Sequence, residues 1–195
     1  MRALLVTAHP AEDSLTAAMA ARAEAGLRRA GHAPEVFDLE RLGFDPAMPE
    51  AQWRAYHDPA ANAAGLEPHA AALRTAEILV LCHPVWWAGP PARLKGWLDR
   101  TMLPGLAFVE RPDGPPRPGL TGLRHFVVCA AYGAPFWLTR FGLGDPARRA
   151  MAGLRRFCAP QARFHHLALY GAELAPAARR ERHLARIESA LGRLG

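Results

Sequence analysis

The stretch Ile78-Leu79-Val80-Leu81-Cys82-His83-Pro84-Val85-Trp86-Trp87-Ala88-Gly89-Pro90-Pro91-Ala92-Arg93-Leu94-Lys95-Gly96-Trp97-Leu98-Asp99-Arg100-Thr101-Met102-Leu103 decides the fold. Its first part, Ile78 to Cys82, is a continuous apolar run of strand length, which suits a strand buried on both faces of a parallel sheet. Its last part, Pro91 to Leu103, predicts a helix, because Leu94, Trp97, Leu98, Thr101 and Met102 recur at helical spacing as one apolar stripe. A buried strand, an aromatic loop and an amphipathic helix form one strand–helix unit of a helix-wrapped parallel sheet.

The same unit repeats in both directions. Upstream, Ala3 to Ala8 predicts the first strand, Ser14 to Ala30 a helix stopped at Gly31, and Glu35 to Leu39 a more polar strand at or near an edge. Gly43 to about His69, with Trp53 and Tyr56, is a long excursion with short helical pieces, and excursions of that length tend to be functional. Downstream, Pro104 to Gly122 contains Pro112-Asp113-Gly114-Pro115-Pro116 and predicts a loop or irregular hairpin. His125 to Ala131 predicts a strand. Asp145-Pro146 starts a helix to about Cys158 that buries Ala147, Ala150, Met151, Leu154, Phe157 and Cys158. Arg163 to Tyr170 predicts the fifth strand, and the last helix turns Leu184, Ile187, Leu191 and Leu194 inward. Five strands in strict alternation with helices predict a doubly wound α/β sheet, order 2-1-3-4-5, in one domain over residues 1–195.

Composition fits this fold. The chain has 195 residues, half of them apolar and 22% charged, so one core can be buried without disulfides. Cys82, Cys129 and Cys158 are odd in number and far apart, and read as buried thiols. No run approaches the ~20 apolar residues of a membrane span, and the N-terminal apolar run is too short for a secretory signal, which predicts a cytoplasmic protein. The formal charge is +6, and Lys95 is the only lysine among 24 basic residues. Arginines 148, 149, 155 and 156 and arginines 179, 182, 186 and 193 fall opposite the apolar stripes of their helices, as solvated faces, which argues against a nucleic-acid partner.

In such a sheet, ligands bind beyond the carboxyl ends of the strands, where strand order reverses. Three segments fall there. His9 to Thr16 enters a helix through Asp13 or Ser14, and its free N–H groups suit a phosphate if Glu12 and Asp13 face outward; Ser14 also reads simply as a helix cap. Pro84-Val85-Trp86-Trp87-Ala88 puts a flat apolar wall and backbone amides at the edge, suited to a planar conjugated ligand, although such tryptophans also pack beneath loops. Ala130-Ala131-Tyr132-Gly133 adds a hydroxyl and a glycine that allows close approach.

Other chemistries lack their signatures. Ser14 and Ser189 are the only serines, and neither sits in G-x-S-x-G. No glycine follows the first strand until Gly26, so the dinucleotide fingerprint and the P-loop are absent. His9 and His83 stand where a response regulator needs carboxylates. His165 and His166 are adjacent on a strand, point to opposite faces and cannot chelate together, so no metal site is expected.

The chain resembles the flavodoxin-like NAD(P)H:quinone oxidoreductases, which include DT-diaphorase-like enzymes and the small modulator-of-drug-activity and potassium-efflux ancillary proteins. The resemblance rests on Ala8-His9-Pro10 with Ser14-Leu15, on Phe44-Asp45-Pro46, on Pro84 to Arg100, and on Pro104-Gly105-Leu106-Ala107-Phe108. It implies a flavin, FAD first and FMN second, with its phosphate region at His9, Ser14, Leu15 and Thr16. Its ring would rest on Pro84, Val85, Trp86, Trp87 and Ala88, be bonded by amides near Trp87, and be closed over by Ala130, Ala131, Tyr132 and Gly133. It also implies hydride transfer from NADPH or NADH through flavin to a quinone-like acceptor by a ping-pong mechanism, and a homodimer with Trp53 and Tyr56 over the partner's pocket. The alternative role is a flavin-binding regulatory subunit of a membrane transporter. The chain departs from the mammalian enzymes in having Tyr132-Gly133 for a glycine pair and no downstream His in Ala134 to Arg140. Tyr132 and Arg140 are therefore the candidate catalytic groups.

Overall fold

The computed structural model describes residues 1–195. Five parallel strands, β1 (Arg2–Thr7), β2 (Ala33–Asp38), β3 (Ile78–Val85), β6 (His125–Tyr132) and β7 (Arg163–Tyr170), form one sheet in the order β2-β1-β3-β6-β7. This is the predicted 2-1-3-4-5 order. One face is covered by α1 (Leu15–Arg29) and α6 (Ala177–Leu191). The other carries α2 (Glu50–Arg54), α3 (Glu67–Thr75), α4 (Ala92–Thr101) and α5 (Pro146–Cys158). β1, β3 and β6 are apolar on both faces because both are covered: Leu4, Val6, Leu79 and Leu81 enter the larger core, and Leu5, Ile78 and Val80 the smaller. No helix is long and apolar enough to cross a membrane.

Of the loop or irregular hairpin expected over Pro104 to Gly122, the irregular hairpin forms. Phe108–Arg111 (β4) and Gly114–Pro118 (β5) pair as a separate antiparallel hairpin with an irregularity between Val109 and Arg111, so the chain has seven strands. β3 also runs three residues past Cys82, through Pro84. Along a strand, alternate residues direct their backbone to the same side, so Pro84 shares the β1 side with Cys82, whose carbonyl accepts from Ala8. β1 ends at Thr7, so Pro84's missing N–H is not needed there.

The inward face of α5 is narrower than its periodicity suggests. Ala147, Met151 and Cys158 are buried, but Ala150 is exposed, Leu154 half-buried and Phe157 exposed. Ala150 and Leu154 turn toward an open groove of about 250 Å³ against Pro90, Leu98 and Met102 of the α4 region. Phe157 packs on Phe108 of the hairpin, with ring centroids 5.3 Å apart. The three cysteines are free and buried.

Candidate functional site

The chain leaves β1 for β2 on one side and returns to β3 on the other, so the connections beyond the carboxyl ends of β1 and β3 part. A cavity of about 450 Å³ lies beyond these ends and that of β6. All three predicted segments reach it: His9, Leu15 and Thr16; Pro84 to Ala88; and Ala131, Tyr132 and Gly133.

The first wall is the start of α1. Ser14 caps it, its hydroxyl accepting from Ala17 N–H at 3.1 Å, so this side chain is spent on the helix and does not line the cavity. The N–H groups of Leu15 and Thr16 have no intrahelical partner and bring the positive end of the helix dipole to the cavity. Glu12 and Asp13 are exposed. His9 Nδ1 accepts from Ala11 N–H at 3.0 Å, and its ring leans on Trp86 with centroids 5.8 Å apart.

The second wall is a two-residue hairpin turn. Trp86 N–H donates to Gly89 carbonyl at 2.9 Å and Gly89 N–H to Trp86 carbonyl at 3.0 Å. Trp87 and Ala88 between them have φ of 47° and 65°. Left-handed backbone at both central positions is the type I′ geometry that asparagine and glycine usually fill, at roughly 1–2 kcal/mol per residue for other side chains. The Trp87 and Ala88 N–H groups donate to no backbone carbonyl, and the Trp87 side chain is 100% exposed. The turn holds two donors and a large aromatic ring toward solvent at the ligand edge, under strain.

The third wall follows β6. A Cβ at Gly133 would lie 3.1 Å from Glu173 Oε1, so its lack of a side chain serves close approach. Ala130 is fully buried within the sheet and does not line the cavity. The Tyr132 ring lines it, but the hydroxyl donates to Asp145 Oδ1 at 2.9 Å, away from the expected ligand-facing role. Asp145, fully buried, caps α5 and also takes the Tyr170 hydroxyl on Oδ2 at 3.0 Å. Burial and then the Asp145 charge hold the Tyr132 hydroxyl protonated far above its ordinary range, and burial with Asp145 pushes Tyr170 up to about 12. His166 Nε2 lies 3.2 Å from the Tyr132 hydroxyl, whose proton is committed to Asp145, so Nε2–H must donate. Burial lowers His166 to about 4, keeping it neutral near pH 7.

Arg140 does not reach this cavity. It lies on a π-helical turn, Leu138–Gly142, and faces a separate hollow over β7. That turn instead puts Thr139 on the main cavity wall, 4% exposed, with a buried hydroxyl that has no partner. Leu143, Pro146, Glu173 and Arg180 also line the cavity, with Ala134, Ala147 and Ala172, and none of these was among the predicted site residues. A π turn has no periodic signature, although Thr139 stands in the stretch Ala134 to Arg140 that lacks a histidine. Trp53 is exposed on α2 and Tyr56 half-buried just after it; neither lines the cavity of its own chain.

Residues 1–191 match the model of a family described as having a flavodoxin-like fold, and the chain belongs to that family. It is 36% identical over 116 residues to the uncharacterized NAD(P)H oxidoreductase YcaK of Escherichia coli K12, covering 56% of each chain. It is 32% identical over 124 residues to NAD(P)H dehydrogenase (quinone) 1 of Cavia porcellus, covering 55% of this chain and 45% of that protein. The chain thus spans about half the length of these relatives in the match. The crystal structure of Smu.1420 from Streptococcus mutans UA159 superposes with a TM-score of 0.88 over 100% of both chains at 23% identity, a likeness of fold.

Proposed function

We propose that the chain is a flavin-dependent NAD(P)H oxidoreductase whose main cavity holds the flavin and, in turn, NADPH or NADH and a quinone-like acceptor. The observation that carries this reading is the strained Trp86–Gly89 turn, which keeps the N–H groups of Trp87 and Ala88 unbonded on the wall at the strand-order reversal. Strain of this kind is maintained where geometry serves a ligand. The relatives' names, NAD(P)H oxidoreductase and NAD(P)H dehydrogenase (quinone), agree with it.

The residues present fit a flavin. The N-terminus of α1, through Leu15 and Thr16, suits its phosphate. Trp87 and Ala88 N–H suit the polar edge of its ring, and the orphaned Thr139 hydroxyl is a further donor. Pro84, Val85, Leu143 and Pro146 keep the slot apolar and exclude water. The flavin, when bound, supplies the hydride acceptor and donor chemistry between NAD(P)H and the acceptor. The neutral donors facing this slot, Thr139 and the backbone N–H groups, would stabilise negative charge on a bound ring, each worth more in a partly desolvated site than in water. Arg140 takes no part in this, and Tyr132 acts as a positioning residue through Asp145.

FAD is the expected form. Arg180 is the one arginine or lysine lining the cavity, and it offers a diphosphate its side of the mouth. The hollow past His9, lined by Glu12, Glu24, Asp38 and Glu40 with Arg41, offers mostly repulsion. A second copy with Trp53 and Tyr56 over the cavity belongs to the same reading, supported by exposed Trp87 and Leu143 on the lining itself.

The test is to purify the protein, identify any bound flavin, and follow NADH and NADPH oxidation with menadione. Bound flavin and parallel initial-rate lines are expected. No flavin after incubation with FAD and FMN contradicts the reading, and flavin without turnover turns it toward the regulatory role. Sedimentation at a dimer mass is expected.

A further inference from the structure

A second cavity, of about 410 Å³, opens over the outer edge of the sheet, on the α5 side of β7. Three arginines reach it from three separate elements: Arg140 from the π turn, Arg148 from α5 and Arg186 from α6. None forms a salt bridge. Its other walls are aromatic. Phe164 and His166 stack at 11° with centroids 6.3 Å apart, and Phe136 meets the Tyr170 ring edge-on at 5.1 Å. Arg148 lies over the Phe164 ring at 6.0 Å.

One carboxylate, Asp145, also lines the space, but its two oxygens are taken by Tyr132 and Tyr170 and it is fully buried. His166 is neutral with its proton on Nε2 and offers a ring face, not a charge. The net field in the cavity is therefore positive, set by three unpaired guanidiniums whose planar forks match a carboxylate. A cavity of this volume is of small-ligand size. The aromatic walls favour a flat unsaturated body over a small inorganic anion.

We propose that this cavity is a second ligand site, distinct from the flavin cavity, that binds a planar aromatic carboxylate between Phe164, Phe136 and the three arginines. The site shares a wall with the main cavity through Tyr132, whose ring lines one while its hydroxyl is held by His166 and Asp145 of the other. Arg140, Arg148 and Arg186, which in sequence look like solvated or catalytic charges, become the anion clamp.

Fluorescence titration with 2-naphthoate tests this. Saturable binding is expected, at least tenfold tighter than that of uncharged 2-naphthamide, with inorganic phosphate competing only at concentrations at least ten times higher. Arg148→Gln/Arg186→Gln should weaken it at least tenfold with the thermal unfolding temperature unchanged. Should the double variant fold poorly, Arg186→Gln alone, on an exposed position of α6, must still weaken it measurably. Trp87→Ala should leave it unchanged. No saturable binding, equal binding of naphthamide or phosphate, indifference to the arginines, or loss on Trp87→Ala would each overturn the second site. These readouts need no flavin, so failure here is separate from failure of the oxidoreductase reading.

Discussion

Along the seam between α1 and α6, the chain removes side chains to bring backbones together; around the main cavity, it spends strain to hold groups apart. At the seam, Gly26 lies so close to α6 that a Cβ would meet the Glu188 carbonyl at 2.4 Å. Arg22 bridges to Glu181 and Glu188, and Arg29 to Glu188. At the cavity, Trp87 and Ala88 sit in left-handed backbone, Thr139 has no partner, and Leu143 is exposed. Where the seam pairs its charged groups, the cavity leaves the Trp87 and Ala88 N–H groups and the Thr139 hydroxyl without a protein partner. Asp145 joins the two styles, a fully satisfied buried carboxylate set beside the open site.

The largest effect is expected at that junction. Asp145→Ala strands the Tyr132 and Tyr170 hydroxyls and removes the α5 cap, for a loss of about 3 kcal/mol in urea unfolding. Next comes Gly26→Ala. In an isolated helix this change stabilises by ~1 kcal/mol, but here the clash with Glu188 dominates and a net loss of about 1–2 kcal/mol is expected. A gain in stability would show that the seam yields and that the contrast is false.

Acid acts through two buried histidines. His183 on α6 and His166 on β7, at the wall of the second cavity, are both lowered by burial to about 4. The unfolded chain, with histidines near 6.5, binds more protons between these values, so stability is full above about pH 6.5 and falls as pH drops toward 4. Each histidine adds up to one proton to the slope, about 1.4 kcal/mol per pH unit. His183→Gln and His166→Gln should each flatten it by one proton in denaturation curves at stepped pH. Smallest is Ala88→Gly, which relieves a left-handed residue and should stabilise by about 0.5 kcal/mol, against the usual sign for alanine to glycine.

Most of the scaffold was legible because burial on two faces writes itself as continuous apolar runs. Arg163 to Tyr170 is a strand over those same residues, and Leu184, Ile187 and Leu191 line α6 as spaced. The end of β3 was not, because a proline is tolerated only once β1 has stopped, a fact of sheet register. The inner face of α5 was overdrawn because periodicity shows which side is apolar but not how wide a neighbour covers it. At the site, the walls could be read from strand ends, yet the direction of Tyr132 and Arg140 depended on Asp145 and on a π turn that no spacing announces. Trp87 and Ala88 carry no turn signature either, since their conformation is imposed against their preference.

A crystal structure of the protein grown with FAD or FMN tests the central claim most directly. The ring edge should lie at hydrogen-bond distance, about 2.7–3.2 Å, from the N–H of Trp87 or Ala88, with Thr139 as a further donor and both residues still left-handed. A flavin bound elsewhere, or a turn that relaxes to right-handed backbone while the flavin is bound, would contradict the account.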